Sequence, residues 1–289
     1  MPSHSPQTRA AAGLVVGSVV SVQCGAALAT TLFDEVGPAG AVFLRSTLGA
    51  LVLLAVARGV LRPLRGAQLR DVVLFGVALA GMNLCFYLAL DRLPLGIAVT
   101  LEFVGPLSVA ILGSRQRRDV IWALLAAAGI LLLSGGVSGA GIDAVGAALA
   151  LTAGAFWGAY ILLSARVGNT SPGLGGLAVA MAISAVLLAP FGIAQGGGEL
   201  LTPSHLAVGL AVGLLASAIP YGLELEALRR LPNAVFGVLM SLEPAVGALV
   251  GFLALSQGLA PLEAVAIGLV VAASAGALRS AATPPPRDG

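Results

Sequence analysis

The 289-residue sequence has no lysine, two histidines and two cysteines. Charged residues make up only 10% of it, against roughly 25% in an average soluble domain. Aromatic residues are also scarce, at 5%. Each shortage excludes something. So little charge beside 58% hydrophobic residues and a mean hydropathy of +1.01 excludes a water-soluble globule. A net charge of +2, carried by arginine alone, lacks the footprint of a nucleic-acid binder. Cys24 and Cys85 fall in different apolar runs, so they read as small buried hydrophobes rather than a disulfide or metal pair. His4 is near the terminus and His205 is in a loop, and no zinc ligand set, phosphate loop or catalytic triad is present. That argues against an ATP-driven pump, an intramembrane metalloprotease and enzymes generally, and no cofactor or metal is expected. The first apolar run lacks a cleavage site and reads as a true span, not a signal peptide.

What the sequence does hold is long apolar runs. Broken at charge, proline and glycine, they predict ten helices at 11–32, 38–57, 72–90, 94–113, 119–136, 143–164, 174–194, 206–228, 232–255 and 261–279. Continuous runs favour helices over a barrel, whose strands alternate over about ten residues. The fold class expected is therefore an all-α polytopic membrane protein with ten transmembrane helices. Residues 1–10 and 280–289 are polar or proline-rich and are expected to be disordered cytoplasmic tails.

Arginine sets the orientation. With the N-terminus in the cytoplasm, 13 of the 15 arginines fall on the inner side. Arg92 falls outside, and Arg45 falls within the second span. Both termini are thus expected inside the cell, in the inner or plasma membrane. Ten spans divide into five and five, at 11–136 and 143–279. An odd number per repeat turns the second copy upside down, as in many secondary transporters.

One stretch recurs visibly. Leu90–Gly113 and Leu228–Gly251, 138 positions apart, share leucine, arginine, proline, alanine and glycine at eight positions, from Leu90/Leu228 to Gly113/Gly251. Each copy carries one glutamate inside its apolar run, Glu102 and Glu243. At 1.5 Å per residue from Pro94 and Pro232, they lie about 12 Å and about 16.5 Å from opposite faces. In a core about 30 Å thick, both reach nearly one height. Acids at that depth are costly and mark a functional site, and they suit proton binding and release. The alternative is that each is separately satisfied by a hydroxyl, an arginine or a freed backbone group.

Other polar residues join them as candidates. Arg45, about seven residues into its span, can counter a carboxylate or hold a substrate carboxylate, or else snorkel outward. Asn83 and Tyr87 share a helix face, as do Tyr221 and Glu224 just after Pro220. Both pairs suit a cavity wall or interhelical glue. Glu224 also has Arg229 or Arg230 within reach of an ion pair, and Glu226 is expected to be solvated. Gln23 and Trp157, with Tyr160, are weaker cavity candidates.

These motifs resemble a known family. SVQCGAALA (21–29), GMNLCFYLALDRLPLGIAVTLEFVGPLSVAILGSR (81–115), GAFWGAYIL (154–162), IPYGLELEALRRLP (219–232) and FGVLMSLEPAVGALVG (236–251) are similar, in order, to the EamA family of the drug/metabolite transporter superfamily. The combination of GMN, LEF–GP and PYxLE points to its threonine/homoserine exporter (RhtA-like) subgroup. The resemblance implies ten helices with cytoplasmic termini in two inverted halves. It also implies export of small amino acids by proton antiport. One departure stands out. The family often has Gly-Glu after the ninth helix, where this chain has Ser256-Gln257, so any role of an acid there is in doubt. The expected partners are a small-molecule substrate, protons and lipid, with no nucleic acid. Oligomeric state is not legible. Export of another metabolite or a drug-like compound is the alternative in the same class. A passive channel and a non-transporting scaffold are the alternatives outside it.

Overall fold

A computed structural model describes residues 6–61, 63–113, 120–136, 143–170, 173–228, 230 and 239–281. Nearly all of these are helical, and no strand occurs among them. In chain order the helices are α1 (Pro6–Thr30), α2 (Phe33–Ala57), α3 (Ala67–Leu90), α4 (Leu95–Glu102), α5 (Val104–Gly113), α6 (Val120–Gly136), α7 (Ala144–Thr170) and α8 (Gly175–Gly196). After a 3₁₀ turn at Gly197–Leu201 come α9 (Pro203–Gly213), a π-helical segment at Leu214–Ala218, α10 (Ile219–Leu228), α11 (Glu243–Ala254) and α12 (Pro261–Ala281). Among the described residues, six helical stretches are long and apolar enough to cross a membrane, and three shorter apolar ones accompany them. A hydrocarbon interior offers no partner for a bare amide, so a chain this apolar closes its own hydrogen bonds helix by helix.

Several expectations shift. Residues 6–10 and 280–281 are helical, inside segments expected to be disordered. The predicted fourth span is broken at Phe103, and the eighth is interrupted by the π segment. The start of the predicted ninth span, 232–238, lies outside the described residues. Cys24 is exposed and Cys85 half-buried, both as free thiols. Burial was the wrong expectation for Cys24, because the outside of a membrane helix is itself an apolar environment.

The packing follows that inside-out logic. Large apolar side chains point outward, such as Leu112 at 85% and Leu253 at 70% exposed, while much of the buried set is alanine and glycine. Lipid is as apolar as leucine, so close backbone approach holds such helices together. α2 packs on α8, α3 on α7 and α8, α1 on α10 and α11, α2 on α9, α4 and α5 on α7, α4 on α11, and α6 on α12. Gly105 and Gly154 bring α5 and α7 together, and a Cβ on Gly154 would lie 2.5 Å from the Glu102 carbonyl oxygen.

Proline and positive-φ glycine shape the helix ends. Gly37 adopts φ 71°, ψ 166° ahead of Pro38 and kinks α2 in its first turns. The chain restarts there with free amide donors. The Ala39 N–H donates to Gln195 Oε1 of α8 at 2.7 Å. Likewise, the Leu95 N–H after Pro94 donates to Gln257 Oε1, just past α11, at 2.9 Å. Ser256, at φ 53°, turns the chain into that position. A left-handed residue there is natural for glycine, and the acceptor at 257 is a side-chain oxygen that glutamate would also supply. The Gly-Glu departure thus leaves the local geometry intact.

Gly154→Leu is expected to force α5 and α7 apart at Glu102 and to destabilise the protein by about 1–3 kcal/mol, the range for overpacking a tight contact. Gly268→Ala, with nothing within 4 Å of its Cβ, is expected to stay within about 0.5 kcal/mol of wild type. Thermal unfolding of the detergent-solubilised protein measures both.

Candidate functional site

The polar residues of the interior converge on one cavity of about 110 Å³. Its lining includes Gln23 of α1, Arg45 of α2, Asn83 of α3, Glu102 of α4, Trp157 and Tyr160 of α7, Tyr221 and Glu224 of α10, and Glu243 of α11. Val22, Met82, Phe86 and Met240 supply apolar wall. Nine of the ten residues singled out in the sequence therefore meet in one place. The tenth, Tyr87, lies beneath it, with its ring 5.6 Å from the Arg45 guanidinium carbon.

Both repeated glutamates sit at helix breaks. Pro106 has no N–H to return to the carbonyl four residues back, which is that of Glu102. α4 stops at Glu102 and α5 restarts at Val104. Glu243 opens α11, with Pro244 behind it. Each carboxylate thereby stands near the positive end of the following helix. Phe103, at the break, packs edge-on to Trp157 with ring centroids 5.3 Å apart. Glu102 and Glu243 are 7% and 4% exposed. Neither carboxylate has a hydrogen-bond partner among the described residues.

Arg45 is held differently. It is 7% exposed, and no carboxylate lies within ion-pairing distance of it among the described residues. Pro220 cannot donate to the Ala216 carbonyl, and that oxygen accepts from Arg45 Nη2 at 2.8 Å. Nη1 donates to Asn83 Oδ1 at 2.8 Å, and Nε reaches Ser217 Oγ at 3.4 Å. Asn83 is fixed in turn by donating to the Leu79 carbonyl at 2.8 Å. The π segment lies at this point, as such segments often do at functional sites. A guanidinium has five N–H donors. Three are used, and two have no partner among the described residues. The snorkelling alternative is thereby set aside.

Glu224 accepts from Ser18 Oγ at 2.6 Å, on the face of α1 that packs against α10. Arg230 instead pairs with Glu226, one helical turn back on the surface. The i,i+4 spacing favours that partner over Glu224, and Glu226 is paired rather than merely solvated. Arg229 lies outside the described residues. Sequence reasoning missed Ser18, Ser217 and the methionines Met82 and Met240. Serines in apolar helices carried the one usable signal, since a buried hydroxyl needs a partner.

A helical membrane bundle with an interior cavity lined by a guanidinium and three carboxylates has the make-up of a polytopic transporter of a polar solute. Comparison with known proteins gives that class a family. Residues 144–279 match the EamA-like transporter family. The chain is 42% identical over 264 residues to Threonine/homoserine exporter RhtA of Escherichia coli (strain K12), covering 91% of this chain and 89% of that one. It is 44% identical over 257 residues to Threonine/homoserine exporter RhtA of Salmonella typhimurium (strain SL1344), covering 89% and 87%. It is 33% identical over 168 residues to the uncharacterized transporter YwfM of Bacillus subtilis (strain 168), covering 58% and 57%. A solved crystal structure superposes with a TM-score of 0.67 at 21% identity, covering 95% of this chain and 98% of that one, and so shares the fold. The chain belongs to the EamA-like transporter family.

Asn83→Leu is expected to remove one leg of the Arg45 support and destabilise the fold by on the order of 1 kcal/mol, the scale of interhelical hydrogen bonds in membranes. In an Arg45→Gln background the same change is expected to cost less. A double-mutant cycle on thermal unfolding in detergent measures the coupling; additive effects would show that the contact is energetically silent.

Proposed function

We propose that this protein exports small hydroxylated amino acids of the threonine/homoserine type across the cytoplasmic membrane, in exchange for protons. The observation that carries the reading is the charge make-up of the cavity. A buried guanidinium with donors to spare faces the same chamber as three acids that it does not neutralise. An amino-acid zwitterion has the complementary ends. Its carboxylate takes the open donors of Arg45, and its ammonium group turns to Glu102 and Glu243. Protons and the ammonium group then compete for the same carboxylates, which is the requirement of an antiporter. The small chamber favours a compact solute, since drug-sized ligands occupy pockets of roughly 300–1,000 Å³. The relatives named as threonine/homoserine exporters, matched over about nine-tenths of the chain, supply the substrate class. Asn83, Tyr87, Tyr221 and Glu224 position the charged groups, and Gln23 and Trp157 complete the wall.

The architecture that goes with this reading is ten spans in two inverted five-helix halves, 11–136 and 143–279, with both termini in the cytoplasm. In it, α4 with α5 forms the fourth span, and α9 to α10 forms the eighth. The packing supports the inversion. Moving every span five places on converts the α1–α10 contact into α7–α3, α3–α8 into α9–α2, and α4–α7 into α11–α1. The α2–α8, α4–α11 and α6–α12 contacts map onto themselves. Alternating access then amounts to one half rocking against the other about the Glu102–Glu243 level.

In proteoliposomes with an imposed pH gradient, Glu102→Gln and Glu243→Gln are each expected to abolish gradient-driven threonine flux without loss of expression. Arg45→Lys keeps the charge but loses the planar fork, and is expected to raise the threonine KM about tenfold or more. Counterflow with labelled threonine, homoserine, leucine and a cationic drug reads the substrate. Unchanged flux in both Glu variants would sink the coupling role, and preference for the drug would sink the substrate class.

A further inference from the structure

The two glutamine caps are the strongest feature that the transport site does not use. They repeat one arrangement. In each, a helix restarts after proline, at Pro38 and at Pro94. In each, the first free amide, of Ala39 or Leu95, finds no side-chain cap from its own neighbourhood. It is taken instead by a glutamine more than 150 residues away, Gln195 at a separation of 156 and Gln257 at 162. In each, a glycine makes the room. A Cβ on Gly37 would collide with the Gln195 side chain, and one on Gly251 would lie 2.6 Å from Gln257 Oε1. The starts of α2 and α4 lie at the same end of the molecule, because α3 runs back between them. Arg92 and Asp143 pair at 3.5 Å at that end too. The bonds join α2 to α8 and α4 to the end of α11, two of the three cross-half contacts that inversion maps onto themselves.

We infer that Gln195 and Gln257 are paired latches holding this end of the transporter shut, and that releasing both amide bonds is part of opening it. Each bond fastens a helix of one half to the other half directly above the chamber. Glu102 lies on α4 about two full turns beyond Leu95, so a shift of that helix start moves the carboxylate with it. A neutral amide bond suits a latch. It is weak enough for binding energy to break, and two together can bias a two-state equilibrium. An unlatched amide at this end meets water rather than lipid, so opening does not leave it stranded. The inference rests on the alternating-access reading, but its test reads accessibility and requires no substrate.

The test uses a full-length chain with Cys24→Ser and Cys85→Ser, which is then free of cysteine. Val22→Cys places a thiol on the chamber wall. Labelling by a membrane-impermeant methanethiosulfonate is followed from each side in right-side-out and inverted vesicles. Gln195→Leu and Gln257→Leu are each expected to speed labelling from the Ala39/Leu95 side about three- to tenfold, with a larger effect in the double variant. Gln257→Glu keeps an acceptor oxygen and is expected to label like the parent. Should the leucine variants fail to elute as folded protein, Gln195→Asn and Gln257→Asn shorten the side chain by one methylene and are expected to show the same acceleration. Unchanged labelling in folded leucine or asparagine variants would overturn the latch. So would equal acceleration in Gln257→Glu, which would leave the caps as ordinary packing. Loss of threonine flux with normal latch behaviour would count against the substrate reading alone.

Discussion

A guanidinium buried without a carboxylate partner is the constraint on which the interior of this protein turns. Its cost in a membrane is several kilocalories per mole unless neighbouring dipoles take the donors. Here neutral oxygens take three of them, on Asn83, Ala216 and Ser217. Their supply explains much of the surrounding sequence. Pro220 releases the Ala216 carbonyl, the π segment loosens the helix around it, and the Tyr87 ring lies against the cation. Were Arg45 paired with Glu102 or Glu243, the site would be a closed ion pair with little left for a ligand. Held by neutral groups, it keeps its charge facing the chamber.

The same economy of backbone groups runs through the molecule. At three places where proline breaks or opens a helix, something distant takes up the backbone group left free. Ala216 goes to Arg45, Ala39 to Gln195 and Leu95 to Gln257. Each such exchange ties two helices together at a point where at least one of them is broken. Breaks that would be liabilities in lipid become the places where the chain is polar and able to bind. Glycine and alanine work alongside them by bringing helices close enough for these bonds to form.

Much of this was legible in the residues. The apolar runs located nearly every helix, and the 138-residue offset marked the two hairpins that carry the glutamates. The i,i+4 pair Asn83 and Tyr87 and the i,i+3 pair Tyr221 and Glu224 were readable as shared faces, and all four surround the site. The partners were less legible. Glu224 had Arg229 and Arg230 nearby in sequence, yet its bond is to Ser18, 206 residues away. Gln195 and Gln257 stood near predicted helix ends with nothing to distinguish them from solvated loop residues. The break at Phe103 was hidden because proline two residues inside a new helix and proline inside an old one look alike.

The sequence by itself determined the class of the protein, most of its helical stretches and which acids lie within them. Those follow from two local rules: lipid tolerates only self-satisfied backbone, and a helix rises by a constant step per residue. Only the tertiary structure decided who meets whom. A freed carbonyl, a spare amide or a buried guanidinium states a need without naming a partner. The partner is chosen by which small-residue faces allow two helices to touch, and that is settled by packing across more than a hundred residues of chain.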